Sequence, residues 1–336
     1  MKTHFIIVAL IIAAFSFGGC TTKDNFDFIV TVVPEPKTSV IVLNDMNTAA
    51  EIIRKRLNNS FGIPKERMKL EVAENQFSLT ITKADTGKIA SIKKIITGYA
   101  RLEFWETYEN AEIMEYLSKA NSLLREMTSV ADVKNADKQD EFIAQNPLFG
   151  ILKPRVTAQG EPLPSCMIGL TSGPDTAKVN GYMQMPEIKV LLPRDLKLIW
   201  SLNPNKYDLS EALYELHAIK MTTRDGKAPL DGSVVISAKP VIGPSESDMK
   251  IDFTMNAEGT RKWARMTREN IDRCIAIVIN GYVRSYPRVM NEISGGSTEI
   301  TGDFTVKEAT DLASILSSGS LPFELKIVEE QIIKRE

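Results

Sequence analysis

The segment from 249 to 287, MKIDFTMNAEGTRKWARMTRENIDRCIAIVINGYVRSYP, changes between the hydrophobic period of a strand and that of a helix. Residues 249–256 alternate apolar and polar side chains, which predicts a half-buried strand, whereas Trp263 and Met266 share the apolar side of a predicted helix. The run CIAIVIN is almost entirely apolar and predicts a buried strand. Asn280-Gly281 is a residue pair preferred in two-residue type I′ hairpins. The segment therefore predicts a strand, a helix, and two strands joined by a tight turn.

The chain continues toward its C-terminus with the remaining elements of the same unit. A short strand is predicted at Glu299–Thr301, and Thr305 with Glu308 has the capping-box pattern that begins a helix over 306–319. A long final strand follows Pro322. From residue 249 onward the predicted order is therefore β-α-β-β-α-β, which is typical of a ferredoxin-like unit.

The N-terminal region has the same predicted order. It contains a strand at 40–43, a helix after Asn47-Thr48, a hairpin of 68–73 and 77–82, a helix over 86–98 and a closing strand over 99–108. The sequence thus predicts an α+β fold with a base of two ferredoxin-like (βαββαβ) halves, 39–108 and 247–336. The proline-rich segment 109–246 between them is predicted to be an inserted α/β head subdomain.

The first residues, MKTHFIIVALIIAAFSFGGC, have the pattern of an export signal. Lys2 precedes an apolar run, Phe5–Phe17, that is shorter than the roughly 20 residues of a membrane-spanning helix. Small residues before Cys20 resemble a bacterial lipobox, so we predict a signal peptide at 1–19, lipid attachment at Cys20 and a lipidated tether over 20–38. An ordinary signal peptide with a chance cysteine and an uncleaved anchor are the alternatives.

The composition argues against several classes of function. The 41 Lys and Arg residues nearly balance the 43 Asp and Glu residues, whereas nucleic-acid-binding domains are usually basic. The chain has two histidines, His4 and His217, and no ligands flank His217 at metal-site spacing. We therefore predict no nucleic-acid partner, no metal, no cofactor and no catalytic residues. Cys166 and Cys274 are expected to be free thiols, with Cys274 buried, although an exported compartment also permits a disulfide.

Three aromatic side chains near the end of the N-terminal unit are the candidate binding residues. Phe104, Trp105 and Tyr108 cluster at the end of a predicted strand. One interpretation is ordinary core packing. The other is a hydrophobic cleft at the junction with the inserted head, where a polypeptide could lie.

Several stretches are similar to the SecD/SecDF family of protein-export subunits. AEIIRKRLNNSFGIPK (50–65) resembles the segment that opens the first periplasmic (P1) domain, and RLEFWETYENAEIMEYLSKAN (101–121) resembles fused SecDF proteins of Bacteroidetes. The most specific similarity is over 249–330, which contains AIVINGYVRSYP, ISGGSTEITGDF and EATDLASILSSGSLP. The similarity covers about residues 48–330.

The resemblance has departures that limit what it implies. The family's LGLDLxGG motif is replaced, Asn280 stands where Asp is usual, and Tyr286 stands where Ala is usual. Family members continue into six transmembrane helices where this sequence ends at Glu336. Proton-coupled transmembrane function is therefore not expected of these residues.

The resemblance implies a periplasm-facing lipoprotein of the bacterial envelope that binds exported or unfolded polypeptide and assists export. Its expected partners are that polypeptide, the Sec translocon or a full-length SecDF, and the membrane through the lipid. Thr21-Thr22 lacks the Asp of inner-membrane retention, which favours the outer membrane. The alternative is an envelope scaffold that kept the fold but lost the export role. An enzyme is a third hypothesis, without a residue constellation to support it.

Overall fold

The computed structural model describes residues 26–35, 43–73, 75–127, 138–205, 212–243, 249–302 and 304–335. The strands are β1 (Phe26–Pro34), β2 (Met68–Val72), β3 (Phe77–Ala84), β4 (Leu102–Thr107), β5 (Lys153–Pro154), β6 (Met167–Ser172), β7 (Leu196–Trp200), β8 (Leu213–Lys220), β9 (Leu230–Asp231), β10 (Val235–Ile242), β11 (Met249–Met255), β12 (Ile275–Ile279), β13 (Tyr282–Ser285), β14 (Ser297–Thr301) and β15 (Leu325–Lys334). The helices are α1 (Leu43–Phe61), α2 (Ile89–Thr97), α3 (Asn110–Met127), α4 (Lys138–Gln145), α5 (Thr176–Gln184), α6 (Pro186–Lys189), α7 (Ala257–Glu269) and α8 (Val306–Ser318). The predicted signal peptide, Cys20 and most of the predicted strand at 40–43 lie outside the described residues.

One antiparallel sheet brings together the first and last strands of the described chain. Its order is β15-β1-β3-β2, and α1 and α2 share one core with it. Phe28, Val30 and Val32 of β1 are fully buried in that core. They alternate along the strand, so they form one apolar face that is stabilised by packing against helices. This strand falls within the segment predicted as a tether, so residues 26–34 belong to the folded sheet and not to a spacer.

The edge of this sheet beside β1 is occupied by β15. The sequence predicts that the strand over 99–108 closes the N-terminal half, but β4 pairs with β12, β8 and β9 instead. The physical reason is burial, because all but one residue of β4 is buried and both of its faces need to be covered. The fold is a mixed α/β structure with antiparallel sheets, and the strands after residue 249 are divided among all of them.

Strands β13, β12, β4, β8 and β7 form a ring. Neighbours in this order pair antiparallel. The ring closes where Ser201, directly after β7, bridges to Val283 of β13 and Leu202 N donates to Val283 O at 3.2 Å. The apolar interior consists of Trp105, Ile199, Ile219, Ala276, Val278 and Val283. The ring therefore has a small packed core of its own.

Two further cores pack around the ring and the first sheet. The sheet β10-β11-β14 shares a core with the outer faces of β4 and β12 and with α7 and α8. Helix α8 contributes to two cores, because Ile315 packs under α2 and Leu316 packs against this second sheet. Helices α3, α5 and α6 enclose another core with β6 and β8. In the part of the chain with assigned structure, no helix is both long and apolar enough to cross a membrane.

The local signals in the sequence have the predicted structures. Thr305 and Glu308 form a capping box at the start of α8, in which Glu308 N donates to Thr305 Oγ1 at 3.2 Å. Asn280 and Gly281 have positive φ angles of 54° and 83°, as a type I′ turn requires, and they join β12 directly to β13. The tight turn therefore joins two neighbouring strands of the ring.

Candidate functional site

A groove of about 530 Å³ lies between α2, α8 and the β12–β13 hairpin. Its deeper part is lined by the buried side chains of Ile95, Ala100, Ile279 and Ile315. Phe304 is also buried, and the outer part of the groove is lined by Tyr99, Leu202, Tyr282 and Leu312. The volume is within the range of about 300–1,000 Å³ that is usual for ligand sites. We call this site the hairpin groove.

Asn280 fixes the position of the hairpin against the chain that leaves α2. Its backbone N–H donates to Arg101 O at 3.1 Å, and its Oδ1 accepts from Arg101 N at 2.9 Å. Its Nδ2 donates to Tyr99 O. These hydrogen bonds hold the hairpin, and with it Tyr282, beside Tyr99 across the hairpin groove.

Arg56 holds the two helices on the other side of the groove. This arginine of α1 is fully buried. Its guanidinium donates to Gly98 O and, at 3.4 Å, to Ile95 O, and it reaches Gly319 O at 3.2 Å. These carbonyls belong to the C-terminal ends of α2 and α8, which have no partners within their own helices and carry partial negative charge. Burial lowers the pKa of Arg56 to about 10, so the side chain remains charged at neutral pH.

The rim of the groove carries charges of both signs. Lys94 Nζ lies 2.9 Å from Asp311 Oδ2, so this pair neutralises itself. The Arg284 guanidinium lies 4.7 Å from the centre of the Phe304 ring, in a cation–π arrangement. A backbone hydrogen bond from Thr305 is the main cause that lowers the pKa of Glu308 at the start of α8. The groove is therefore apolar inside, with a rim of mixed charge.

Two of the predicted binding residues, Phe104 and Trp105, are fully buried on opposite faces of β4. The Phe104 ring is 5.2 Å from that of Trp263, in the core outside the ring of strands. Trp105 lies inside the ring, where Lys197 Nζ stands 4.5 Å from its centre. This placement agrees with core packing, which the sequence had left open, and leaves neither ring accessible in this conformation.

Tyr108, the third predicted residue, is half-buried beyond the end of β4 and does not line the hairpin groove. Its hydroxyl donates to Asp195 Oδ1 at 2.6 Å, and Lys220 Nζ lies 4.5 Å from the centre of its ring. Burial first, and then this hydrogen bond, raise the pKa of Tyr108. The three aromatic residues are thus neighbours in sequence but not parts of one surface.

A second cluster, buried and polar, surrounds His217 on β8. His217 Nδ1 lies 3.7 Å from Cys166 Sγ, and Nε2 lies 3.3 Å from Glu215 Oε2. The ring of Tyr286 stands 4.5 Å from the imidazole, centre to centre. Burial alone would raise the pKa of Glu215, but the interaction with His217 and hydrogen bonds with Tyr286 and Asn205 lower it overall.

This cluster contains the residue types of a Cys-His-Glu site, but its burial argues against catalysis. Cys166 and His217 are both fully buried, so a substrate could not reach the sulfur in this conformation. The interaction with Cys274, followed by burial, raises the pKa of the Cys166 thiol, which is opposite to the activation of a nucleophile. Among the described residues, no group of three or more His, Cys, Asp or Glu side chains could hold a metal ion.

Sequence reasoning missed both the groove and the partners of His217. The groove combines residues from 94–100, 279–284 and 304–315, which only the three-dimensional fold brings together. A signal in the sequence was Tyr282, an aromatic residue directly after the predicted Asn280-Gly281 turn. For His217, the signal was Glu215 two positions earlier, because residues i and i+2 of a strand point to the same face.

Known proteins are similar to this chain over nearly its whole length. Residues 211–323 match the family model for the SecDF P1 head subdomain. The SecD protein translocase subunit of Rhodothermus marinus is 29% identical over 305 residues, which is 86% of this chain and 46% of that protein. SecD of Aquifex aeolicus is 25% identical over 329 residues, covering 94% of this chain and 59% of that protein. The chain thus spans about half the length of these curated relatives.

Solved structures agree on the fold. A SecDF structure in a super-membrane-facing form matches 92% of this chain with a TM-score of 0.51 and 18% identity, over 30% of its own length. A structure of a membrane component SecDF that enhances protein export matches 90% of this chain with a TM-score of 0.50 and 18% identity, over 98% of its own length. The resemblance of the chain to the SecD/SecDF family is therefore confirmed. The residues matched by the family model lie on both sides of 246/247, where the sequence predicts the boundary between the head and the C-terminal half.

Proposed function

Because the chain is a relative of the SecD and SecDF protein-export subunits over nearly its whole length, we propose that it assists protein export by binding exported or unfolded polypeptide. The observation that carries this proposal is the hairpin groove, with its apolar interior and its rim of both charges. The relatives are named as translocase subunits, and one related structure is described as enhancing export.

An unfolded polypeptide fits the chemistry of the groove. Such a chain exposes large apolar side chains that vary from one substrate to the next, so its receptor needs apolar surface without a strong charge preference. Tyr282 and Leu202 are 45% and 42% exposed beside buried Ile279 and Ile315, which gives a passing side chain both access and depth. The pair of Lys94 and Asp311 already neutralises its own charge, so it favours neither acidic nor basic segments.

The proposal includes an anchor and a domain organisation. Lipid on Cys20 would hold the domain on the periplasmic side of a bacterial membrane, the outer membrane being favoured, near the Sec translocon or a full-length SecDF. We propose that the sheet β15-β1-β3-β2 with α1 and α2 is a ferredoxin-like base, and that residues 109–246 form the inserted head. The Cys20→Ala variant should lose metabolic labelling with palmitate, and labelling that persists in it would contradict this part of the proposal.

Site-specific photo-crosslinking in cells tests the binding function. A photoreactive phenylalanine analogue replaces Tyr282 in the groove or, as a control, Val190, which directly follows α6, is 85% exposed and does not line the groove. We expect exported precursors to be trapped at position 282 and not at position 190. Equal trapping at both positions would contradict the proposal.

The alternative function is a scaffold for an envelope complex. It is favoured by Asn280 and Tyr286, which stand where the family usually has Asp and Ala, and by the replaced LGLDLxGG motif. The same crosslinking experiment separates the two functions. One discrete envelope protein trapped at position 282, with no exported precursors, would support the scaffold.

A further inference from the structure

The strand β15 forms an open edge of the four-stranded sheet. Among the described strands it pairs with β1 alone, and residues 329–335 are all exposed. The edge of a sheet presents unpaired backbone N–H and C=O groups, which readily pair with a strand of another chain. The second half of β15 is therefore in a position to extend the sheet beyond one molecule.

The edge of β10 in the second sheet shows how the same fold closes such a position. The hydroxyl of Ser317 on α8 donates to Ala238 O at 2.8 Å and accepts from Ala238 N at 2.7 Å. Pro240 in the same strand has no backbone N–H to offer a partner. The strand β15, LKIVEEQIIK, contains no proline and is twice as long as β2, the five-residue strand at the opposite edge of its sheet.

The backbone groups of β15 point alternately toward β1 and toward the open edge. Glu35 N donates to Glu324 O at 2.8 Å, so Glu35 and every second residue before it in β1 face β15. Their partners on β15 are Lys326, Glu329, Gln331 and Ile333. The backbone groups of Glu330, Ile332 and Lys334 therefore face the open edge.

A second copy of β15 complements this edge in one antiparallel register. The register places Ile332 opposite Ile332 of the second copy. Glu330 then lies opposite Lys334, and this pair occurs twice by symmetry. Glu329 lies opposite Arg335 on the other face of the sheet, again twice. Opposite charges across two strands stabilise their pairing, whereas moving the axis to Glu330 would set that carboxylate against its own copy.

We propose that two copies of this chain join through β15, around a twofold axis at Ile332, into one continuous eight-stranded antiparallel sheet. Such a contact is self-complementary, because the same patch of each copy meets itself. Lys93 of α2 supports it, since its Nζ lies 2.7 Å from Glu330 Oε2 and orients this carboxylate beside the edge. The proposal is independent of polypeptide binding, because none of residues 329–335 lines the hairpin groove.

A contact made by one pair of strands is small, and the anchor proposed above would strengthen it. Phe26 lies opposite Lys334, two positions from the axis. The two copies of Phe26 are then only about 20 Å apart, as judged from the spacing of residues and strands in a sheet. Two chains held by their N-terminal segments on one membrane meet at a raised effective concentration, which favours a weak contact.

Cysteine cross-linking in cells tests the contact and its register. The full chain is produced with two different epitope tags in the same cells, so that a dimer of this chain carries both tags. Ile332→Cys is compared with Val328→Cys, because both side chains are 53% exposed on the same strand. In the proposed register the Cα atoms of the two residues 332 are about 5.5 Å apart, within reach of a disulfide. The two residues 328 are about 26 Å apart.

We expect mild oxidation of the Ile332→Cys chain to give a disulfide-linked dimer that carries both tags. Val328→Cys should give at least about fivefold less of it, because its sulfur atoms are out of reach. The chain without an added cysteine measures the background from the natural cysteines.

Charge reversal in the Ile332→Cys chain tests the pairing of Glu330 with Lys334. Glu330→Lys and Lys334→Glu should each lower the yield of dimer about fivefold, because each sets like charges opposite one another. The two substitutions together restore opposite charges and should restore the dimer. Rescue by the double variant also shows that the single variants did not fail by misfolding.

Three outcomes would overturn the inference. One is a yield from Ile332→Cys that equals the yield from Val328→Cys or the background. Another is a double charge variant that forms no more dimer than the single variants. The third is linkage of position 332 to exported precursors in place of a second copy, which would make the edge a polypeptide site. Trapping at position 282 is measured separately, so either proposal can fail without the other.

Discussion

The four-stranded sheet β15-β1-β3-β2 and the ring of strands treat buried polar groups in different ways. The core of the sheet contains the fully buried Arg56, whose guanidinium donates hydrogen bonds to backbone carbonyls. The ring instead carries side chains that contact one another, among them Glu215, His217 and Tyr286. The first arrangement supplies hydrogen-bond donors to carbonyls at the ends of two helices, so its value is structural. Replacing a buried polar cluster by well-packed apolar residues is often neutral for stability, so the second arrangement is not required to hold the ring together.

Replacing Arg56 should have the largest effect on stability. We expect Arg56→Met to lower the free energy of unfolding by about 3 kcal/mol, because the carbonyls of Ile95, Gly98 and Gly319 lose their donor while remaining in the interior. Urea denaturation measures the change. Lys55→Met, at the exposed neighbouring position, is the control and should change stability by less than about 0.5 kcal/mol.

Equal destabilisation by the Arg56 and Lys55 variants would contradict the structural role of Arg56 and, with it, the contrast between the sheet and the ring. It would mean that the helix ends find other donors once the guanidinium is gone.

Asn280 tests the link between the ring and the sheet. Asn280→Ala should cost about 1–2 kcal/mol, because it removes the side-chain bonds to Arg101 N and Tyr99 O and leaves a residue poorly suited to a φ of 54°. Asn280→Asp keeps the acceptor for Arg101 N but not the donor to Tyr99 O, so thermal denaturation should give an intermediate loss. A larger loss for Asp than for Ala would contradict this assignment.

The polar cluster of the ring should make stability depend on acid. The pKa of Glu215 is lowered in the folded state, so its carboxylate adds stability above the ordinary value of 4.5, and this stability is lost as pH falls through the folded pKa. Between neutral pH and pH values below 4.5 we expect the wild type to lose more stability than Glu215→Gln, as measured by urea denaturation at each pH.

The Arg56→Met variant is the control for this acid dependence. It should retain the wild-type slope, because its defect lies in the sheet. An identical slope for the wild type and Glu215→Gln would show that the cluster does not titrate with folding.

Tyr282 should give the smallest change in stability and the clearest change in binding. Its side chain is 45% exposed, so Tyr282→Ala should alter the free energy of unfolding by less than about 0.5 kcal/mol. Binding of a fluorescently labelled, permanently unfolded polypeptide should weaken about 5- to 10-fold, as for the loss of one aromatic contact. Val190→Ala should leave both quantities unchanged, and unaltered polypeptide binding by Tyr282→Ala would argue against the groove.

The local structure was predictable from sequence because its causes are local. The capping box of Thr305 and Glu308 and the turn at Asn280-Gly281 depend on a few neighbouring residues, and both have the predicted form. The partners of β4 and of β15 were not predictable in this way. Both are plausible closing strands for the first unit, and the choice depends on which other segments cover the two faces of β4. The groove inherits this difficulty, since it lies where these non-local choices meet.

The antiparallel pairing of β1 with β15 has a mechanical consequence. Phe26 lies opposite Lys334, so both strands leave the sheet at the same end. A pull applied between these two ends would open the ladder one pair at a time, which requires little force. A pull on residue 26 alone, opposed by a load held at the hairpin groove, would instead shear β1 against β15 and β3 together. If the domain is tethered through its N-terminal segment while it grips a moving chain, the load falls on the direction in which the sheet resists most strongly.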